Sequence, residues 1–173
     1  MCLGFLTCSN NKIESTKETP LIPNKETVAT DENFKLLEDF KKNQSLFRAD
    51  TFNLYEQSAE GGALIAFHSK DKNYLVIDIW LFGETGKLHA TYYTDRELNI
   101  KIVMKTDYSY DKPYYEKGYK TTESTEYYSF GDNWFKLYNS EKKEINDQND
   151  KKKSILDLLD LFKDVTKDIK III

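Results

Sequence analysis

The chain has 173 residues, of which 39% are hydrophobic, 14% aromatic and 31% charged, with a formal net charge of −4. This is enough for one domain with a proper core and too little for two comfortable ones. A mildly acidic chain offers no electrostatic ground for nucleic-acid binding, which needs a basic surface, and no run reaches the roughly 20 apolar residues of a membrane-spanning helix.

Both cysteines, Cys2 and Cys8, lie at the N-terminus. The rest of the chain therefore has no disulfide framework and no cysteine metal cluster. Positions 1–8 form a short apolar run ending on Cys8, and Ser9, Asn10, Asn11 and Lys12 open a polar tract. This order resembles the end of a bacterial lipoprotein signal peptide, with Phe5, Leu6 and Thr7 in the places before the acylated cysteine. The resemblance implies that residues 1–7 are the remnant of a signal peptide. It also implies that the Cys8 thiol takes a diacylglyceryl group, and that palmitate or a similar chain caps the new α-amino group. A start codon upstream of Met1 would supply the missing positive n-region. Residues 8–30 would then be a polar tether on the lipid bilayer, and Ser9 after the cysteine points to the outer membrane of a bacterial envelope. Two or more acyl chains hold a protein durably where one does not.

A first helix is expected over 31–47. Thr30 or Asp31 can cap it, because a side-chain oxygen accepts from the free amides of the first turn. Phe34, Leu36, Leu37 and Phe40 form its apolar stripe, with Lys35, Glu38, Asp39, Lys41 and Lys42 on the solvated side.

Strands follow. Phe52 and Leu54 alternate, 58–62 reads as a turn, and 63–69 reads as a second strand. The centre of the chain is 73–97. There Leu75, Ile77, Ile79 and Leu81 alternate with Tyr74, Val76, Asp78, Trp80 and Phe82. Period-two alternation marks a strand, and two apolar faces mark a covered, central one. The glycine-flanked stretch 83–86 turns the chain, and 87–94 returns. Leu98, Ile100, Ile102 and Met104 are expected on one face of the next strand, with Asn99, Lys101 and Lys105 on the other. Positions 121–130 and 133–139 make a last hairpin across Gly131 and Asp132. Short strands joined by short turns give an antiparallel meander.

A tyrosine-rich loop is expected at 107–119, carrying Tyr108, Tyr110, Tyr114, Tyr115 and Tyr119. Tyrosines offer rigid amphipathic area suited to protein or sugar contacts. A charged connector over 142–153 leads to a C-terminal helix. Ser154 caps it, with Asp157 in an acidic capping box, and Ile155, Leu158, Leu159, Phe162, Val165 and Ile169 sit at helical spacing. The apolar end 171–173 either extends the helix or docks as an edge strand.

The fold class is therefore α+β: an antiparallel meander of about five to seven strands between an N-terminal and a C-terminal helix, in a single domain over 31–173. No nucleophile elbow, phosphate loop, zinc-binding helix or dinucleotide glycine pattern occurs. No catalytic residue, metal ligand or cofactor is assigned. The two histidines, His68 and His89, lie in predicted strands. Asp78 interrupts an apolar strand beside Trp80, as a polar anchor on an aromatic surface would; a hydrogen-bonded strand carboxylate is the plainer alternative. The candidate ligand surface is Asp78, Trp80, Tyr108, Tyr110, Tyr114 and Tyr115. The leading expectation is an envelope lipoprotein that binds a protein or carbohydrate ligand without chemistry, and without nucleic acid. A small hydrolase acting on envelope carbohydrate or peptide, and a cytoplasmic immunity- or inhibitor-like protein, are the alternatives.

Overall fold

The computed structural model describes residues 31–146 and 151–167. Cys8, the tether over 8–30, Ile169 and the apolar end 171–173 lie outside the described residues. One helix, α1 (Phe34–Asn43), precedes seven strands: β1 (Arg48–Leu54), β2 (Gly62–His68), β3 (Tyr74–Gly83), β4 (Gly86–Asp95), β5 (Ile100–Tyr110), β6 (Thr121–Gly131) and β7 (Trp134–Tyr138). A second helix, α2 (Lys152–Thr166), follows. The strands form one sheet in the order of the chain, each antiparallel to the next. The α+β meander between two helices is thus the fold the alternation predicts.

The helices cover opposite faces. On one face Phe34, Leu37 and Phe40 of α1 pack with Tyr74, Val76, Tyr93, Ile102 and Tyr138. Phe34 meets the rings of Tyr127 and Tyr138 edge-on at 5.3 and 5.1 Å. On the other face Ile155, Leu158, Phe162 and Val165 of α2 close over Ile77, Ile79, Tyr92, Val103 and Tyr128. Each such apolar side chain stabilises the fold by about 1.5–3 kcal/mol on leaving water. Leu75, Val76 and Ile77 are all fully buried, as a central strand with two apolar faces requires.

Polar side chains pin both helices. Asp39 of α1 accepts from Lys72 Nζ at 2.7 Å and from the Tyr74 hydroxyl at 2.6 Å. The buried Tyr92 hydroxyl donates to the Leu158 carbonyl of α2 at 2.9 Å. Lys151, just before α2, meets Glu126 at 2.6 Å.

Several local expectations are corrected. The N-cap position of α1 is Asn33, whose own side chain does not cap it; Asp31 accepts the Asn33 backbone amide on its Oδ1 at 3.0 Å, and Thr30 lies outside the described residues. The Asn33 side-chain amide turns instead to β6, donating to Ser129 Oγ at 2.8 Å and the Phe130 carbonyl at 3.1 Å. Tertiary partners outcompete the local cap. A 3-10 turn, Gln44–Leu46, ends the helix early. Ser154 does not cap α2, which starts at Lys152; its hydroxyl lies 3.0 Å from that of Tyr128 inside the helix–sheet contact.

The strand after the 95–97 turn also departs from expectation. Leu98, Ile100, Ile102 and Met104 do not share a face. The β4–β5 register shifts between Tyr93 and Thr94, so Tyr93 opposes Ile102 while Thr94 opposes Ile100. The extra residue of such a bulge switches the face of what precedes it. Leu98 and Ile100 therefore pack on the α2 side and Ile102 under α1. Both faces of the strand are covered at its centre, where Ile102 and Val103 are fully buried.

Candidate functional site

Helix α1 covers only one end of its sheet face. Alternation carries that face along β3 from Tyr74 and Val76, which lie under α1, to Asp78, Trp80 and Phe82, which lie beyond it. A two-residue turn at Glu84 and Thr85 fixes the β3–β4 register, pairing Gly83 with Gly86. Thr91 then opposes Asp78, His89 opposes Trp80, and Lys87 opposes Phe82. On β5 the same rows continue in Met104, Thr106 and Tyr108.

Asp78 is the polar centre of this open half. Its Oδ1 receives His89 Nε2 at 2.6 Å and the Thr91 hydroxyl at 2.7 Å, and its Oδ2 receives the Trp80 indole N–H at 3.1 Å. Burial alone would push the carboxyl up. The bonds from His89, Thr91 and Trp80 outweigh it and hold the group below the ordinary carboxylate range. The next phenol along the face, Tyr93, is pushed up by burial and by the Asp78 charge.

Aromatic rings surround that carboxylate. The His89 imidazole stacks on Trp80 with ring centres 3.8 Å apart. Tyr108 lies 6.1 Å from Trp80, and the Lys87 ammonium stands over both rings, at 4.7 Å from Trp80 and 4.5 Å from Tyr108. A cation over an aromatic face is attracted by the ring quadrupole. Beyond Lys87 the face opens into a cleft of about 400 Å³, lined by Phe82, Tyr110, Tyr114 and Tyr119 with Glu60 and Lys87.

The six sequence-predicted ligand residues fall in one region. Asp78, Trp80 and Tyr108 belong to the stacked cluster, and Tyr110 and Tyr114 line the cleft beside it. Tyr115 packs edge-on against Tyr114 at 5.6 Å and is largely exposed. Tyr108 and Tyr110 are strand residues rather than loop residues, because the β5–β6 ladder continues to the Tyr110–Thr121 pair. The connection is 111–120, and it is tied back over the β3–β4 turn by the Tyr114 amide, which donates to the Glu84 carbonyl at 2.9 Å.

Sequence reasoning missed Phe82, Lys87, His89, Thr91 and Glu60 as members of the site. The turn at Glu84 and Thr85 was the available signal, since a two-residue hairpin turn dictates every cross-strand pair. His68 lies on the opposite face, where its Nε2 meets Asp50 Oδ2 at 2.8 Å. The two histidines therefore cannot share a ligand, and no metal-type cluster of His, Cys, Asp or Glu forms among the described residues.

Known protein families, curated proteins and solved structures give no match to this chain.

Proposed function

We propose that the protein is a non-enzymatic binding module of the bacterial cell envelope, held to the membrane by acylated Cys8 and presenting the open half of the α1-side sheet face to a ligand. The observation behind the reading is the clustering of Trp80, His89, Lys87 and Tyr108 around one carboxylate on a face that α1 leaves bare. Phe82, Tyr114 and Tyr119 beside it are 40–47% exposed, which is costly area for a monomer to leave in water without use.

The state of Asp78 favours binding over hydrolysis. A general acid works with its pKa raised toward the operating pH. Asp78 is shifted the other way and accepts three donors. It anchors its neighbours rather than trading protons with a substrate.

Amide hydrogen exchange on the full-length protein, with and without purified envelope extract, tests the surface. Protection is expected over 80–91, 104–110 and the 111–120 connection. Protection elsewhere, or none, overturns the reading. Intact mass of the protein recovered from membranes tests the anchor: a chain beginning at a lipidated Cys8 is expected, and an unmodified Met1 terminus removes it.

A further inference from the structure

The cleft at the end of this face narrows the class of ligand. It lies between the β3–β4 turn and the 111–120 connection, and its volume of about 400 Å³ falls within the range of small-ligand sites. Resting on the binding reading above, we infer that the cleft takes a pyranose unit of an uncharged sugar.

Three observations carry this. First, three backbone amides around the cleft are already taken and are not free for a peptide. The Phe82 amide donates to the Gly61 carbonyl at 2.9 Å, the Tyr110 amide to Thr85 at 2.8 Å and the Tyr114 amide to Glu84 at 2.9 Å. Extended peptides gain much of their affinity by adding a strand to a free sheet edge. Here β3, β4 and β5 are inner strands with partners on both sides. Recognition must come from side chains.

Second, those side chains alternate apolar faces with hydroxyls. The hydroxyls of Tyr110, Tyr114 and Tyr119 make no hydrogen bond within the described residues, and Tyr114 and Tyr119 are themselves exposed. A pyranose has the complementary surface: an apolar C–H face to lie on a ring and equatorial hydroxyls around its edge.

Third, the charges in the cleft are one of each sign. Glu60 accepts and the Lys87 ammonium donates, and neither has an ion-pair partner among the described residues. A net anionic or cationic ligand loses to one of them what it gains from the other, so the pair gives no preference for either charge. A hydroxylated neutral ring satisfies both.

The test follows backbone amide shifts of the full-length protein during titration. The probes are methyl glycosides of glucose and N-acetylglucosamine, the neutral trisaccharides of β-1,4-glucose, α-1,4-glucose, β-1,4-mannose and β-1,4-N-acetylglucosamine, a trigalacturonate, and the tripeptide Ala-Tyr-Ala. Saturable shifts at Gly83, Gly86, Lys87, Tyr114 and Tyr119 are expected with at least one neutral saccharide. Tighter binding of the trisaccharide than of its methyl glycoside marks a glycan chain, rather than a free sugar, as the source. Tyr114→Ala and Lys87→Gln should each weaken that binding at least tenfold, while Leu46→Ala, exposed on the 3-10 turn after α1 and outside the cleft lining, leaves it unchanged. Phe82 is 42% exposed, so Phe82→Ala should melt as the parent does and still weaken the binding; full binding by all three cleft variants overturns the inference. No shift with any neutral saccharide, or equal or stronger binding of the trigalacturonate, overturns the inference. Shifts from the tripeptide alone overturn the sugar class and leave the binding face standing. Loss of both the saccharide shifts and the exchange protection brings down both.

Discussion

The imidazole of His89 lies flat against the indole of Trp80, ring centres 3.8 Å apart and planes 10° from parallel, while both rings point a nitrogen at the same Asp78 carboxylate. One acid thus sets the orientation of two aromatic side chains on neighbouring strands. Structural and recognition roles meet at this residue, and variants separate them.

Asp78→Ala removes the common acceptor of Trp80, His89 and Thr91. The side chain is 16% exposed, so its donors lose their partner in a largely dry site. A loss of about 2 kcal/mol is expected, from leaving buried donors unsatisfied. Urea unfolding should show a lower midpoint with an unchanged slope. A double-mutant cycle with His89→Ala should give a coupling of about 0.5–3 kcal/mol; a coupling of zero would mean that the 2.6 Å contact carries no energy.

Acid should weaken the fold through the same group. The Asp78 carboxyl is lower in the folded than in the unfolded state, so the unfolded chain takes the proton first. Its stabilisation is present above the unfolded value of about 3.9 and is lost as pH falls through the folded one. Glu126 behaves alike: burial pushes it up, and bonds from Lys151 and Tyr128 more than reverse this. Stability measured from pH 6 to pH 2 should fall below about pH 4, and Asp78→Asn should flatten that slope.

Alkali should act with the opposite sign. Burial pushes the phenols of Tyr92, Tyr128 and Tyr138 up. A raised folded value means that their contribution is full below the unfolded pKa of about 10 and lost as pH rises past it. Spectrophotometric titration should show these tyrosines ionising together with unfolding.

The contact between α2 and the sheet depends on Tyr92. Tyr92→Phe deletes the bond to the Leu158 carbonyl and keeps the ring against Phe162, 4.8 Å away. The cost should be about 1 kcal/mol, with faster amide exchange confined to α2. Phe162→Ala, which empties the core beneath the same helix, should cost about 3–5 kcal/mol.

Gly86 is fixed by proximity. A Cβ there would sit 2.4 Å from the Tyr108 carbonyl oxygen, so Gly86→Ala must push β4 from β5 beside Lys87. A cost of about 1–3 kcal/mol is expected. Loss of the Lys87 shift on saccharide addition should accompany it; a stable variant with unaltered binding would show that the strands part without disturbing the cleft.

Much of this protein was written in local pattern. Alternation at 74–82 specified a central strand, and the spacing of Phe34, Leu37 and Phe40, and of Ile155, Leu158 and Phe162, specified two amphipathic helices. Short turns between strands then left an antiparallel meander as the economical topology. These features repeat at the period of the backbone itself, so a few neighbouring residues are enough to reveal them. What depended on distant partners was not legible. The bulge between Tyr93 and Thr94 reassigned the faces of Leu98, Ile100 and Ile102, and Asn33 left the helix cap for β6. Asp78 and Trp80 stood out as an acid among aromatics, but His89, Thr91 and Lys87 joined them only through cross-strand register. The bare half of the sheet face follows from how far a ten-residue helix reaches across it, and only the folded chain measures that.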